Sequence, residues 1–140
     1  MNVTTEQITQ WLSDVCTLLN MELPRLTMIN NTKGGARRIR TVDGVHFEID
    51  LPVGILQHGP AFSKYYIVHE CTHLNANNSK HDSNFKTAEA ANLNRAFGIG
   101  IKYSRAFPKY LYDVHDTKTI LWGRSDSKLG MGPCLRKVLK

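Results

Sequence analysis

The amino-acid sequence predicts an α+β fold, arranged as a single domain over residues 1–140. In three segments, apolar residues recur every three or four positions, as they do on one face of a helix. Between the first two of these segments, apolar and polar residues alternate, which is typical of strands with one buried face. A chain of this length can bury one hydrophobic core, and 41% hydrophobic with 21% charged residues is typical of a globular protein.

Three helices follow from these patterns. The first is expected over residues 4–20, where a threonine at the start can serve as N-cap. The second is expected over residues 61–75 and ends in the polar run NANNSK. The third is expected over residues 81–97, with Asp82 or Ser83 as N-cap and glycines directly after its end.

Short strands or extended segments are expected before the second helix and after the third. They cover residues 25–30, 37–42, 45–51, 101–107, 110–116 and 118–123. The pair Asp43-Gly44 lies between two of these segments and predicts a β-hairpin. The basic tail, residues 125–140, contains glycines and carries no structural prediction.

Composition and charge limit the setting in which the protein works. The N-terminus lacks the basic start and apolar run of a secretion signal, and no apolar stretch could span a membrane. The expected location is therefore a cytoplasm, that of the host if a virus encodes the protein. The three cysteines are far apart, which argues against a disulfide scaffold or a cysteine zinc ribbon. The sequence predicts no oligomeric state.

A net charge of +6 favours polyanionic partners. Lys and Arg are concentrated in residues 33–40 and 136–140. Two interpretations remain open for these segments: ordinary solvated surface, or a salt-sensitive contact with the phosphate backbone of DNA that does not depend on base sequence.

The segment IVHECTHL contains the pattern H-E-x-x-H at His69, Glu70 and His73. Residues four apart lie on the same face of a helix, so the two imidazoles can bind one ion. Neutral imidazole nitrogen is a good ligand for Zn²⁺. Glu70 points away from that face, and it can accept a proton from a water held by the metal. The pattern predicts a zinc site with Glu70 as general base.

A catalytic zinc ion usually has three protein ligands and one open position. His81, eight residues after His73 and just past the polar run, is the preferred third ligand, and Glu89 is the alternative. Cys71 lies between the motif residues, where a buried packing residue is a simpler interpretation than a redox or inhibitory ligand. Four side chains are candidate transition-state donors opposite the base: Arg95, Tyr103, Tyr110 and Tyr112.

The run VHECTHLNANNSKHDSNFKTAEAANLNRAFGIGIKY, residues 68–103, resembles the SprT-like zinc metallopeptidases and their short viral and bacterial relatives. These proteins carry H-E-x-x-H, a short polar loop, and then a histidine followed by a small or acidic residue and an aromatic. The resemblance covers about residues 45–112. It implies a zincin-like fold in which the motif helix packs on a small mixed sheet. Carried onto this chain, it implies zinc ligands at His69, His73 and His81 and a general base at Glu70.

The resemblance implies a zinc endopeptidase that hydrolyses protein or peptide substrates, with DNA-associated proteins among the candidates. It also implies that the strand at residues 45–51 aligns an extended peptide by β-augmentation. Longer relatives carry a cysteine zinc ribbon or a DNA-binding tail, and Cys134 alone cannot form a ribbon. The main alternative is a zincin-shaped binding or structural protein of a viral or DNA-associated assembly, which holds zinc but cleaves little. A third hypothesis is hydrolysis of something other than a peptide at the same metal.

Overall fold

The computed structural model describes residues 3–106, 109–114 and 117–120, together with Leu139. Over these residues the chain has the predicted mixture of α and β structure, with two small three-stranded sheets. The first sheet packs on the second α-helix, and the second sheet packs on the third. The rest of the basic tail, residues 125–140, lies outside the described residues. Where the chain is described, its helices are too short or too polar to cross a lipid bilayer.

Helix α1, Thr5–Leu18, begins at the N-cap Thr4. The Thr4 hydroxyl accepts a hydrogen bond from the Gln7 backbone N–H, and the Gln7 side chain accepts one from the Thr4 N–H. This reciprocal capping box satisfies backbone donors that have no partner within the helix. The side chains that α1 buries recur at the predicted helical spacing: Ile8, Leu12, Val15 and Cys16.

The first sheet contains β1 (Arg25–Ile29), β2 (Gly35–Thr41) and β3 (Gly44–Pro52), in the order β1-β3-β2. Strand β3 is central, since it pairs with β1 in parallel and with β2 in antiparallel orientation. The predicted β2–β3 hairpin is present, and its turn is formed by Val42 and Asp43, directly before Gly44. Gly44 has a φ of +125°, a conformation that glycine adopts without steric strain.

A 3₁₀ helix, Val53–His58, leads into helix α2, Pro60–Asn75, and helix α3 follows at Ser83–Phe97. Both α-helices lie close to the predicted ranges. The Asp82 side chain caps α3 by accepting a hydrogen bond from a backbone N–H in the first turn. At the other end, Gly98 takes a left-handed conformation that closes the helix. Local sequence signals therefore account for both ends of α3.

The second sheet contains β4 (Ile101–Ser104), β5 (Lys109–Val114) and β6 (Thr117–Ile120), all antiparallel and in that order. The Asn94 side chain on α3 bonds both the N–H and the carbonyl of Ile101, at 2.8 and 2.7 Å. This pair of hydrogen bonds fixes β4 against the helix. The described parts of the three extended segments predicted near the end of the chain thus form one sheet beside α3, and residues 107, 115–116 and 121–123 of these segments lie outside the described residues.

Candidate metal centre

Three histidine side chains converge beside the C-terminal half of α2. His69 and His73 lie one turn apart on the helix, and His81 comes from the loop before α3. The Nε2 atom of His81 is 3.1 Å from Nε2 of His69 and 3.1 Å from Nε2 of His73. One ligand atom from each of the three residues lies within 4.8 Å of the others. The fold therefore brings together the three residues predicted to bind zinc.

A short polar loop returns the chain to α2 and positions His81. Asn77 has a φ of +50°, a left-handed conformation that asparagine tolerates better than most residues. The Asn78 side chain accepts a hydrogen bond from the Lys80 N–H and donates one to the Asp82 carboxylate. Because Asp82 also caps α3, one network fixes both the loop and the start of the next helix.

The tautomers of two of these histidines follow from their hydrogen bonds. Nδ1 of His73 lies 2.7 Å from the backbone carbonyl oxygen of Asn78, which can only accept, so Nδ1 carries the proton. Nδ1 of His69 lies 2.6 Å from one carboxylate oxygen of Glu89, and the Tyr110 hydroxyl donates to the other. We therefore assign the His69 proton to Nδ1 as well. The Nε2 atoms of both histidines then present lone pairs to the cluster.

The lone pairs of His69 and His73 both face Nε2 of His81 across 3.1 Å, so either a proton on His81 or a metal ion must lie between these nitrogens. A proton on His81 Nε2 can form a linear hydrogen bond to only one neighbour at a time, whereas a metal ion serves all three nitrogens together. In a tetrahedral zinc site with Zn–N bonds of about 2.05 Å, two ligand nitrogens are about 3.3 Å apart. The separations of 3.1 Å are close to that value, so the donor set fits zinc.

The local electrostatics favour neutral imidazoles at two of the three positions. Burial lowers the pKa of His73, and burial together with the two neighbouring imidazoles lowers the pKa of His81. Neutral imidazole is the form that binds a metal ion. Burial also lowers the pKa of His69, but the hydrogen bond and charge of Glu89 outweigh it and leave the pKa above its ordinary value. Such a carboxylate makes the ligand nitrogen more basic.

Glu70 lies beside the histidines and is only 4% exposed. Its Oε2 atom has no hydrogen-bond partner among the described residues. Burial raises the pKa of Glu70 to about 7; the His69 charge opposes this, and the charges of Glu89 and Asp50 add to it. A carboxyl group that titrates near neutral pH can both accept and donate a proton there. This arrangement is compatible with the predicted general base.

Glu89, the alternative third ligand, is located behind His69 and is not among the three residues of the cluster. It orients the His69 ring from the Nδ1 side, opposite the Nε2 atom that faces the cluster, as carboxylates commonly do behind metal-binding histidines.

The histidine cluster opens into a cleft of about 610 Å³, which we call the metal cleft. Residues of β2 line one side of it, and residues of α2 line the other. Strand β2 is at the edge of its sheet, because it pairs with β3 alone among the described strands. The prediction that residues 45–51 align a peptide is therefore wrong. That strand is β3, and along residues 44–50 it is already paired with β2, the strand that lines the metal cleft.

None of the four predicted transition-state donors is among the described residues that line the metal cleft. One of them, Tyr110, is buried and donates to Glu89 instead. Tyr66 does line the cleft, and its hydroxyl accepts a hydrogen bond of 2.9 Å from the Gly34 N–H. Burial raises the Tyr66 pKa, so the hydroxyl keeps its proton at neutral pH. Its position three residues before His69 is the signal that could have indicated it.

The loop that holds Tyr66 requires glycine at position 34. A Cβ atom on Gly34 would lie 2.5 Å from the carbonyl oxygen of Asp50 and 3.0 Å from the Tyr66 ring. The first of these contacts is with backbone, which cannot rotate away. The close approach of this loop to β3 and α2 therefore explains why a residue without a side chain is needed.

Cys71 is fully buried, and its Sγ atom lies 3.9 Å from that of Cys16 on α1. It packs in the core, which agrees with the simpler of the two sequence interpretations.

The basic segment at residues 33–40 is divided between the two faces of β2. Arg37 forms ion pairs with two acidic residues of β3, whereas Arg38 reaches α2 and donates to the Leu74 carbonyl oxygen at 2.6 Å. Alternation along the strand separates these side chains, so they do not form one continuous patch. Contact with DNA stays a prediction, and the second basic segment lies almost entirely outside the described residues.

Comparisons with protein-family profiles, curated proteins and solved structures find no match to this chain.

Proposed function

We propose that this chain is a zinc-dependent endopeptidase with a zincin-like fold. The observation that supports it best is that three converging imidazole nitrogens share a cleft with a buried, unpaired carboxylate. Burying an unpaired carboxylate is unfavourable, and a site that only held a structural ion would have no need of one. Glu70 therefore favours hydrolysis over the alternative of a zinc-holding binding protein. The resemblance of residues 68–103 to SprT-like metallopeptidases points to peptides as the substrate.

In this proposal His69, His73 and His81 hold the ion through Nε2. Zinc bound there lowers the pKa of water and polarises the carbonyl group to be cleaved. Glu70 accepts the proton of the attacking water and then donates it to the leaving amine. A pKa near 7 suits both halves of this transfer. Glu89 holds the His69 ring so that Nε2 faces the ion.

The cleft suits a substrate in extended conformation. Gly35, which has no side chain, and Ala36, which has a small one, line it at the start of β2, and the edge of β2 that pairs with no described strand offers backbone groups for pairing. Main-chain hydrogen bonds of this kind provide affinity without reading the substrate sequence. The Tyr66 hydroxyl, held by Gly34, is our candidate donor to the oxygen that becomes negative in the transition state.

Metal content and cleavage of unfolded casein test this proposal together. We expect one zinc ion per chain in the wild type and in Glu70→Gln, and cleavage by the wild type only. His81→Ala should lose stoichiometric zinc. Full cleavage by zinc-loaded Glu70→Gln would refute the role of Glu70. Zinc binding without any cleavage by the wild type would instead favour the binding-protein alternative.

The choice of third ligand has its own test. If Glu89→Ala lost zinc while His81→Ala kept one ion per chain, Glu89 rather than His81 would be the ligand.

The proposal of DNA contact rests on net charge alone. The affinity of the protein for duplex DNA should then fall between low and moderate salt. Affinity that did not change with salt would contradict phosphate contact.

A further inference from the structure

The metal cleft has an unequal distribution of charge. Apart from the histidines, the described residues that line it include two cations, Lys33 and Arg38, and one acid, Glu70. The acid is buried at the centre of the site, next to the ligand histidines. Both cations lie on the other side, in the β1–β2 loop and on β2. A substrate that lies along β2 would therefore pass close to two positive charges.

Arg38 is held in place by two contacts. Its Nη2 atom donates to the Leu74 carbonyl oxygen at 2.6 Å, and its guanidinium carbon lies 5.2 Å from the centre of the Phe47 ring. Leu74 directly follows the candidate ligand His73, so the guanidinium is fixed close to the histidine cluster. Its other nitrogens have no hydrogen-bond partner among the described residues. A guanidinium held in this way can bind a carboxylate through two parallel hydrogen bonds.

Lys33 is exposed and forms no ion pair with any residue that the structure describes. The neighbouring Arg37 differs, since it is bound to Glu48 and Asp50 on the other face of the sheet. Arg40 lies two residues beyond Arg38 on the same strand but is not among the described residues that line the cleft. Among the described residues that line the cleft, the cations available to a substrate are thus Lys33 and Arg38.

We propose that the metal cleft selects peptides that carry an aspartate or glutamate side chain close to the scissile bond. Arg38 would bind that carboxylate, and Lys33 would add a second positive charge along the cleft. This inference rests on the proposed peptidase function and specifies its substrate class. A lysine or arginine at the same place in the peptide would face like charges and be disfavoured. The two cations would also speed the encounter with acidic peptides at low salt.

Binding to zinc-loaded Glu70→Gln tests the charge preference without turnover. The probes are two libraries of random unfolded peptides that differ only in having glutamate or glutamine at one central position. We expect about fivefold to tenfold tighter binding of the glutamate library at low salt, because one or two partly exposed charge pairs form. The preference should shrink at about 1 M salt, where the screening length is only about 3 Å.

Three further substitutions in the same background locate the effect. Arg38→Gln removes the charge and keeps a polar side chain with an N–H donor, and Lys33→Gln removes an exposed charge that forms no ion pair with a described residue. Both should reduce the preference for glutamate. Arg40→Gln is the matched control on the same strand and should leave the preference unchanged. Equal binding of the two libraries, no binding of either, or a preference that survives both substitutions would overturn the inference.

Cleavage is measured separately, so that the two proposals can fail independently. Wild-type cleavage sites in a mixture of unfolded proteins are mapped by mass spectrometry. Enrichment of aspartate or glutamate within about two residues of the cut would support the inference. Cleavage without that enrichment would refute the charge preference alone. Preferential binding of acidic peptides without cleavage would refute the peptidase function alone.

Discussion

Replacing Glu70 by glutamine should stabilise the metal-free protein at alkaline pH. Burial is the largest influence on this carboxyl group and raises its pKa from an ordinary value of 4.5 to about 7. A pKa difference of that size corresponds to about 3 kcal/mol, the free energy by which folding disfavours the charged form. Glutamine has a similar shape but no charge, so the variant avoids this penalty.

The pH dependence has a definite sign. Between pH 4.5 and about 7 the folded state holds the Glu70 proton while the unfolded state has released it. The free energy of unfolding of the wild type therefore falls at this site as pH rises through that window. Above about pH 7, the folded wild type bears the full free-energy cost of burying the charged Glu70 side chain. The advantage of Glu70→Gln over the wild type should thus grow from near zero at about pH 4.5 to about 3 kcal/mol at pH 8.

Urea denaturation followed by circular dichroism measures this difference, with a chelator present because a bound cation would stabilise the carboxylate. The unfavourable burial of the new amide is the same at both pH values and cancels in the comparison. Glu6→Gln, an exposed position in the first turn of α1, is the control and should show little change between the two pH values. If the free energies of unfolding of the wild type and Glu70→Gln differed by the same amount at about pH 4.5 and about pH 8, the reasoning would be refuted.

Other predictions concern the ligands and the loop beside them. Glu89→Gln removes the charge behind His69 and should weaken zinc binding about 10- to 100-fold in a competition assay with a chelating dye; unchanged affinity would show that the carboxylate is not needed. Zinc at about 100 times its Kd should raise the free energy of unfolding of the wild type by about 2.7 kcal/mol. His81→Ala should lose this stabilisation in thermal melts, and a variant that kept it would not have lost a ligand. Gly34→Ala should destabilise the fold by about 1–3 kcal/mol, because its Cβ would clash with a backbone oxygen. Gly35→Ala, where a Cβ meets nothing within 4 Å, is the matched control, and equal effects would contradict the clash.

Local signals in the sequence predicted the helices and the hairpin well. The two ends of α3 are an example, because Asp82 caps its start and Gly98 closes its C-terminus through contacts within a few residues. The β2–β3 hairpin is another, since Gly44, directly after its turn, takes a positive φ that glycine tolerates. Features of this kind depend on backbone hydrogen bonds between neighbours along the chain, so they can be read from composition and spacing.

Strand order could not be read in this way. Residues 45–51 have the alternation of a strand with one wet face, and that pattern is the same for an edge strand and a central one. The parallel pairing of β1 with β3 skips β2 and depends on packing between segments far apart in sequence. Only this pairing places β2, and not β3, at the edge beside the metal cleft.

For the candidate site, the sequence by itself determined the pair His69 and His73 and the position of Glu70, because helical periodicity places residues four apart on one face. It left His81 and Glu89 as competing third ligands. The tertiary structure places His81, and not Glu89, in the histidine cluster, since the loop at Asn77 and Asn78 returns His81 to α2.

The same packing of α3 against α2 puts Glu89 behind His69 as a hydrogen-bond acceptor. It also brings Tyr66 and Arg38 into one cleft from different elements. The physical reason is the separation along the chain over which contacts form. Spacing along a helix determines which residues share a face, because those residues are close in sequence. Which faces contact one another depends on the packing of loops, strands and helices that are far apart in sequence.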